Sequence, residues 1–107
     1  MIESTDGERI GVVDLYNFSP FDQRAWVGIL IAPHVRGCGY GAEAVRLIAD
    51  YAERYLGLHQ LAVEVPVGNV RSVRLFERAG FKQSGIMRDW LKTGTHYADM
   101  LLLQRVF

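Results

Sequence analysis

The sequence predicts an α/β fold, a mixed and mostly antiparallel twisted sheet carrying two helices. Three observations predict it. Apolar residues recur at three-to-four spacing over 40–56 and again over 70–79, the period of a helix with one buried face. Runs rich in β-branched and other apolar residues at 10–16, 24–31 and 61–65 read as strands. The tail sets two more strand segments, 86–92 and 97–106, on either side of Thr93-Gly94-Thr95-His96, a hairpin turn.

Residues 1–9 are polar and contain Asp6-Gly7, a turn signal. Ile10 to Tyr16 is the first strand. Asn17 to Asp22 holds Ser19-Pro20 and makes a loop or broad turn. Arg24 to Ile31 is mostly apolar and is expected at the centre of the sheet. Thr5–Tyr16 and Arg24–Ile31 are expected to pair as an antiparallel hairpin. Pro33 stops the ladder because it has no N–H to donate.

A helix is expected from Gly39 or Tyr40 to Leu56, with Ala44, Val45, Ile48, Ala52, Tyr55 and Leu56 as its buried stripe. Glu43, Arg46, Asp50, Glu53 and Arg54 lie opposite, and Gly57 terminates it. Leu61–Val65 is a short strand. The order strand, helix, strand implies a right-handed crossover with parallel pairing. Asn69 caps a second helix, Val70 to Ala79, with Val70, Val73, Phe76 and Ala79 inward. Gly80 is the left-handed residue after that helix, and Phe81 supplies the apolar contact that accompanies such an end.

At 107 residues the chain is one domain, 1–107, and with 50% hydrophobic residues it has enough for a small core. Twelve Lys plus Arg balance twelve Asp plus Glu. No overall field favours nucleic acid or an anionic membrane. Cys38 is the only cysteine, so an intrachain disulfide and a cysteine-rich metal site are excluded. Asp14, Asp22, Glu64 and Asp99 form no metal-ligand pattern. No apolar run is long enough to span a bilayer, and the first residues are unlike a signal peptide. A soluble cytoplasmic protein is the expectation.

The stretch Ile29–Gly41 organises the chain. A strand enters a glycine-rich turn, and the turn runs directly into a helix. The first turn of a helix has backbone N–H groups without partners, which favours an anion. Small residues at Gly37, Gly39 and Gly41 let the backbone approach phosphate oxygens, and Arg36 adds a charge. Two common nucleotide loops fail by position. Gly37-x-Gly39-x-Gly41 lacks the third glycine of the dinucleotide fingerprint, and Gly41 is followed by Ala42-Glu43, not Lys-Ser/Thr. Cys38 reads as a tolerated loop residue, with no His beside it in the sequence.

Ile31 through Gly41 with its helix resembles the acetyl-coenzyme A motif of the GNAT family of N-acetyltransferases. Asn69-Val70-Arg71-Ser72 through Glu77-Arg78-Ala79-Gly80-Phe81 resembles that family's Asn-x-x-Ser/Ala … Glu-x-x-Gly-Phe segment. The tail, Ser84–Trp90 with Gly94–Asp99, is similar to the subgroup of ribosomal-protein N-terminal and spermidine acetyltransferases. The resemblance spans nearly the whole chain from Ile10 onward, and it implies the acyl-CoA N-acyltransferase fold of that family. It departs in one respect. The family domain normally begins with a first strand and one or two helices before the strand at Ile10–Tyr16. The chain therefore reads as N-terminally truncated: a fragment, or a variant whose open face is covered by another copy. A homo-oligomer such as an interdigitated dimer is the expected arrangement.

The resemblance implies an N-acetyltransferase that moves acetyl from acetyl-coenzyme A to a primary amine: a protein N-terminus, a polyamine or a small-molecule amine. It implies a pantetheine arm between the strand before the loop and the strand after the helix, touching Leu30, Ile31 and the Glu64–Val65 region. A backbone N–H near Leu30 would polarise the thioester carbonyl. The diphosphate would sit on the N–H groups of Arg36, Gly37, Cys38, Gly39, Tyr40 and Gly41. Asn69 has two roles open to it, a cofactor contact and a helix cap. Arg71 and Arg74 are candidates for the phosphate or adenine end, or are simply solvated.

Phe76 stands where many members carry a Tyr whose hydroxyl protonates the leaving thiolate. Phe has no hydroxyl, so it is either a cofactor contact or plain core. Trp26 stands where a Glu base is common. Glu64, Asp99 and His96 are the remaining ionisable candidates. Trp90 and Tyr97 fall on the hairpin that lines the acceptor side in the family, or are strand packing. The alternative function is a non-catalytic coenzyme A-binding or assembly module, motivated by Phe76, Trp26 and the missing N-terminal portion.

Overall fold

The computed structural model describes residues 2–3, 9–31 and 40–107. Its elements are β1 (Ile2–Glu3), β2 (Arg9–Ser19), β3 (Arg24–Ile31), α1 (Tyr40–Arg54), β4 (Gln60–Pro66), α2 (Val70–Arg78), β5 (Lys82–Thr93) and β6 (His96–Val106). They build one six-stranded sheet in the order β1-β2-β3-β4-β6-β5. All neighbours are antiparallel except β3 and β4, the pair joined through α1. That is the mixed, mostly antiparallel sheet with two helices that the sequence predicts. The short β1 lies inside a stretch that reads as polar, and its pairing with β2 is what makes it a strand. The Asp6-Gly7 turn lies outside the described residues.

Alternation along β4 sets the two faces. Leu61, Val63 and Val65 are buried, while Gln60, Ala62, Glu64 and Pro66 are half-buried. Register carries the buried face across the sheet: Leu61, Val63 and Val65 pair with Arg105, Leu103 and Leu101. The core on this face joins Ala25, Val27, Leu61, Val63, Val65, Leu101 and Leu103 to Val45, Ala49 and Ala52 of α1 and Phe76 of α2. Fully burying one such Phe or Leu side chain contributes about 1.5–3 kcal/mol.

The α1 stripe is corrected at its end. Ala44, Val45 and Ala52 are buried, and so are Ala42 and Ala49, but Tyr55 and Leu56 are exposed. They follow the last helical residue. Gly57, at φ +66°, turns the chain back, Leu58 N–H donates to the Ala52 carbonyl at 3.0 Å, and Leu58 fills the core in their place.

The second helix ends as its sequence predicts. Gly80 has φ +95°, its N–H donates to the Glu77 carbonyl, and Phe81 N–H donates to the Phe76 carbonyl at 2.9 Å. Those bonds satisfy carbonyls that a helix end leaves open. Phe76 and Phe81 then meet edge to face, with ring centroids 5.4 Å apart. Two arginines finish the job. Arg46 donates from Nε and an Nη to the Arg78 carbonyl, and Arg105 donates to the Ala79 carbonyl.

Candidate active site

The strands β3 and β4 pair only from Arg24↔Gln60 to Trp26↔Ala62. Yet β3 continues to Ile31 and β4 to Pro66. On their outer sides both stay paired to the end, β3 with β2 as far as Gly11↔Ile31 and β4 with β6 as far as Pro66↔Met100. The sheet therefore opens as a wedge between 27–31 and 63–66. Backbone N–H and C=O groups on these two inner edges have no ladder partner across the gap. Such groups need partners when they lose water, so the wedge suits an extended ligand with amide groups of its own.

The predicted site residues distribute around this wedge unevenly. The backbone of Leu30 and Ile31 forms the open end of β3, paired with Val12 and Gly11 on the far side. Glu64 is half-buried in the unpaired part of β4. Gly41 is buried in the first turn of α1, whose first residue is Tyr40. Arg36, Gly37, Cys38 and Gly39, with Pro33, lie outside the described residues.

Asn69 follows β4 by a tight turn and caps α2, its Oδ1 accepting from Ser72 N–H at 3.2 Å. Oδ1 is thus engaged, while the amide NH₂ is a donor on an exposed residue. Arg71 and Arg74 are exposed on α2. The Phe76 side chain is 2% exposed and packs in the core, so little of it can meet a ligand. Asp99 is half-buried and its carboxylate is occupied: Oδ1 accepts the Asp89 N–H at 2.9 Å. Asp89 has φ +51° within a break in the β5–β6 register. The Asp99 carbonyl also accepts Val67 N–H at 3.1 Å. His96 is exposed at the hairpin tip.

On the face away from the helices the structure adds residues that sequence reasoning did not assign. Asp14 pairs with Gly28, and Tyr16 pairs with Trp26. A Cβ added at Gly28 would lie 2.7 Å from Asp14 Oδ1, the free end of an exposed side chain, and 3.4 and 3.7 Å from two Tyr16 ring carbons. Both side chains therefore lie across β3 where it parts from β4. The Tyr16 hydroxyl is held above its usual pKa of 10.0, by partial burial first, then by the negative charges of Glu64 and Asp14. A lone glycine inside an apolar strand is the one signal that would have found this spot.

Among the described residues no helix is long and apolar enough to cross a membrane.

Comparison with known proteins agrees with this geometry. The family model described as an acetyltransferase (GNAT) domain matches residues 1–82. A probable N-acetyltransferase, YjcK of Bacillus subtilis, is 35% identical over 101 residues, covering 94% of this chain and 56% of that protein. The putative ribosomal N-acetyltransferase YdaF of the same species is 32% identical over 96 residues, covering 90% and 52%. Among solved structures, the spermidine N-acetyltransferase of Vibrio cholerae in complex with CoA and spermine superposes with a TM-score of 0.90 at 27% identity, over 97% of this chain and 62% of that one. The chain spans about half the length of the curated relatives it matches. With the family model covering most of its residues and the wedge between β3 and β4 in place, the chain belongs to the GNAT acetyltransferases.

Proposed function

We propose that this protein is an acetyl-coenzyme A-dependent N-acetyltransferase acting on a primary amine. The observation that carries the reading is the wedge: β3 and β4 part after Trp26↔Ala62 and leave two backbone edges facing each other. Relatives named for spermidine and for ribosomal protein support an amine acceptor. The relative solved with CoA and spermine supports the donor.

The residues that would hold acetyl-coenzyme A are the backbone of Leu30 and Ile31, the Glu64–Val65 edge, the N–H groups from Arg36 to Gly41, and the Asn69 amide. When bound, it supplies an acetyl thioester: the amine nitrogen gains the acetyl carbon, the carbon–sulfur bond breaks, and the proton lost by nitrogen balances the departing thiolate. A backbone N–H near Leu30 would polarise the thioester carbonyl. Glu64 is favoured as the group that accepts the amine proton, because it is half-buried at the wedge. Asp99 is less suited, since its Oδ1 is committed to Asp89. Arg71 is kept as a phosphate or adenine contact. Phe76 acts as core, with no proton to give. The working form is a homo-oligomer in the cytoplasm.

Calorimetry with acetyl-coenzyme A tests the donor, and thiol release with spermidine, spermine and short peptides tests the acceptor. Micromolar to submillimolar binding with release on at least one amine is expected. No heat at millimolar ligand would overturn the reading. Binding with no thiol release on any amine would favour the second reading, a non-catalytic coenzyme A module, which the absence of a hydroxyl at Phe76 motivates.

A further inference from the structure

We propose that Tyr16 is a second catalytic residue of the acceptor side: its hydroxyl oxygen and the Glu64 carboxylate each take one N–H of the attacking primary amine and so turn the nitrogen lone pair into the wedge. The proposal rests on the acetyltransferase reading and names a residue for its acceptor step.

Register brings the two groups to one spot. Leu15 packs against the core, so Tyr16 beside it stands on the face without helices. Glu64 stands on that same face, because it alternates with the buried Val63 and Val65. The last pair across β3 and β4 is Trp26↔Ala62. Two residues further along each strand come Gly28 and Glu64, so these face each other where the wedge opens. Tyr16 is paired with Trp26, yet its ring does not stay there. Its Cε1 comes within 3.4 Å, and its Cδ1 within 3.7 Å, of where a Cβ of residue 28 would be. Cε1 adjoins the carbon that bears the hydroxyl, and it is the nearer of the two. The ring thus leans from β2 over Gly28 with its hydroxyl end leading, toward the gap and Glu64. Burial comes first in raising the pKa of this hydroxyl, and after it the charge of Glu64 counts for more than that of Asp14, although Asp14 is two residues away on the same strand.

An attacking primary amine has one lone pair and two N–H bonds. With the lone pair aimed at the acetyl carbon, both N–H bonds point away and need acceptors in a site that sheds water. Glu64 takes the proton that nitrogen must lose as its bond to carbon forms and the carbon–sulfur bond breaks, and that proton then passes to solvent. The Tyr16 oxygen accepts the N–H that the amide product keeps. No proton leaves Tyr16, whose hydroxyl is still protonated below pH 10. A secondary amine has one N–H and a carbon group where Tyr16 would accept, so the hydroxyl does nothing for it.

The test follows thiol release with two amine pairs: spermidine and its terminally N-methylated form, and a short peptide beginning with alanine or with N-methylalanine. Tyr16→Phe removes the hydroxyl alone. It is expected to cut kcat/KM at least tenfold for the primary amine that the wild type uses and less than threefold for its N-methyl partner, with coenzyme A affinity held within twofold. Equal losses on the two partners, or no loss on the primary amine, would overturn the proposal. A second arm needs no cofactor. In ultraviolet titration, Glu64→Gln is expected to bring the late tyrosine ionisation closer to pH 10 than Asp14→Asn does. A larger shift in Asp14→Asn would put the hydroxyl away from the wedge and overturn the proposal. Thiol release by the wild type on none of these amines would overturn the acetyltransferase reading and this proposal together, whereas turnover with equal losses in Tyr16→Phe would overturn this proposal alone.

Discussion

Asn69 shows how one side chain can serve both roles its sequence context leaves open. Its Oδ1 accepts the Ser72 N–H and caps α2. Its NH₂ still has two donors to offer. Asn69→Asp keeps the acceptor and loses the donors; Asn69→Ala loses both. We expect Asn69→Asp to unfold in urea like the wild type and to bind coenzyme A about tenfold more weakly, the loss of one good hydrogen bond at about 1.4 kcal/mol. Asn69→Ala is expected to lose about 1 kcal/mol of stability as well. Equal affinity for Asn69→Asp and the wild type would leave the residue as a cap alone. The cap was legible because Asn before an apolar-periodic run has a local meaning. The Gly28 arrangement was not, because it depends on which residue of β2 lies opposite, and register is a property of the pair.

Tyr16 carries a second residue-scale prediction. Its folded pKa lies above 10.0 because burial and the carboxylates of Glu64 and Asp14 oppose the phenolate. Below pH 10 both folded and unfolded chains hold the proton, so the full contribution is present. As pH rises past 10 the unfolded chain releases its proton first, which favours unfolding, and the contribution is lost as pH climbs through the folded pKa. Ultraviolet titration should therefore show one tyrosine ionising late, and that phase should vanish in Tyr16→Phe. An unchanged titration curve in Tyr16→Phe would contradict this environment.

At the scale of elements, the tail hairpin is longer than its sequence pattern indicates. The sequence places its first arm at 86–92, whereas β5 runs Lys82–Thr93. Alternation is hidden by two register breaks, between Gln83 and Gly85 and between Met87 and Leu91. At the second break Asp99 receives the Asp89 N–H, and Asp89 holds φ +51°. This gives a clean separation of roles for Asp99. Asn can accept the same N–H, but it cannot take a proton at neutral pH. Asp99→Asn is expected to keep at least a third of the wild-type turnover, and Asp99→Ala to lose about 1–2 kcal/mol of stability through an unsatisfied N–H. A loss of a hundredfold in kcat for Asp99→Asn with unchanged stability would return Asp99 to the chemistry. The helices were more legible than the strands. Val70–Arg78 has a cap, a period and a Gly-Phe ending that all agree. The α1 end misled because Tyr55 and Leu56 keep the apolar period after the backbone has left the helix.

At the scale of the whole molecule, the extents of 43 × 38 × 20 Å describe a slab, one sheet with helices on one face. The slab ends on β5, an edge strand of twelve residues. An edge presents N–H and C=O groups without partners and invites pairing with another chain. Here the invitation is reinforced by apolar exposure on the hairpin, with Ile86, Trp90 and Tyr97 each more than half exposed. Pairing at β5 leaves the wedge free, since β4 and β6 separate them in the strand order. Light scattering at micromolar concentration is therefore expected to report at least twice the 12.1 kDa of one chain. Ile86→Lys puts a charge on the edge and is expected to shift the mass to a single chain, with coenzyme A affinity held within twofold. A wild type of single-chain mass would defeat the oligomer outright. An oligomer untouched by Ile86→Lys would move the contact off this edge.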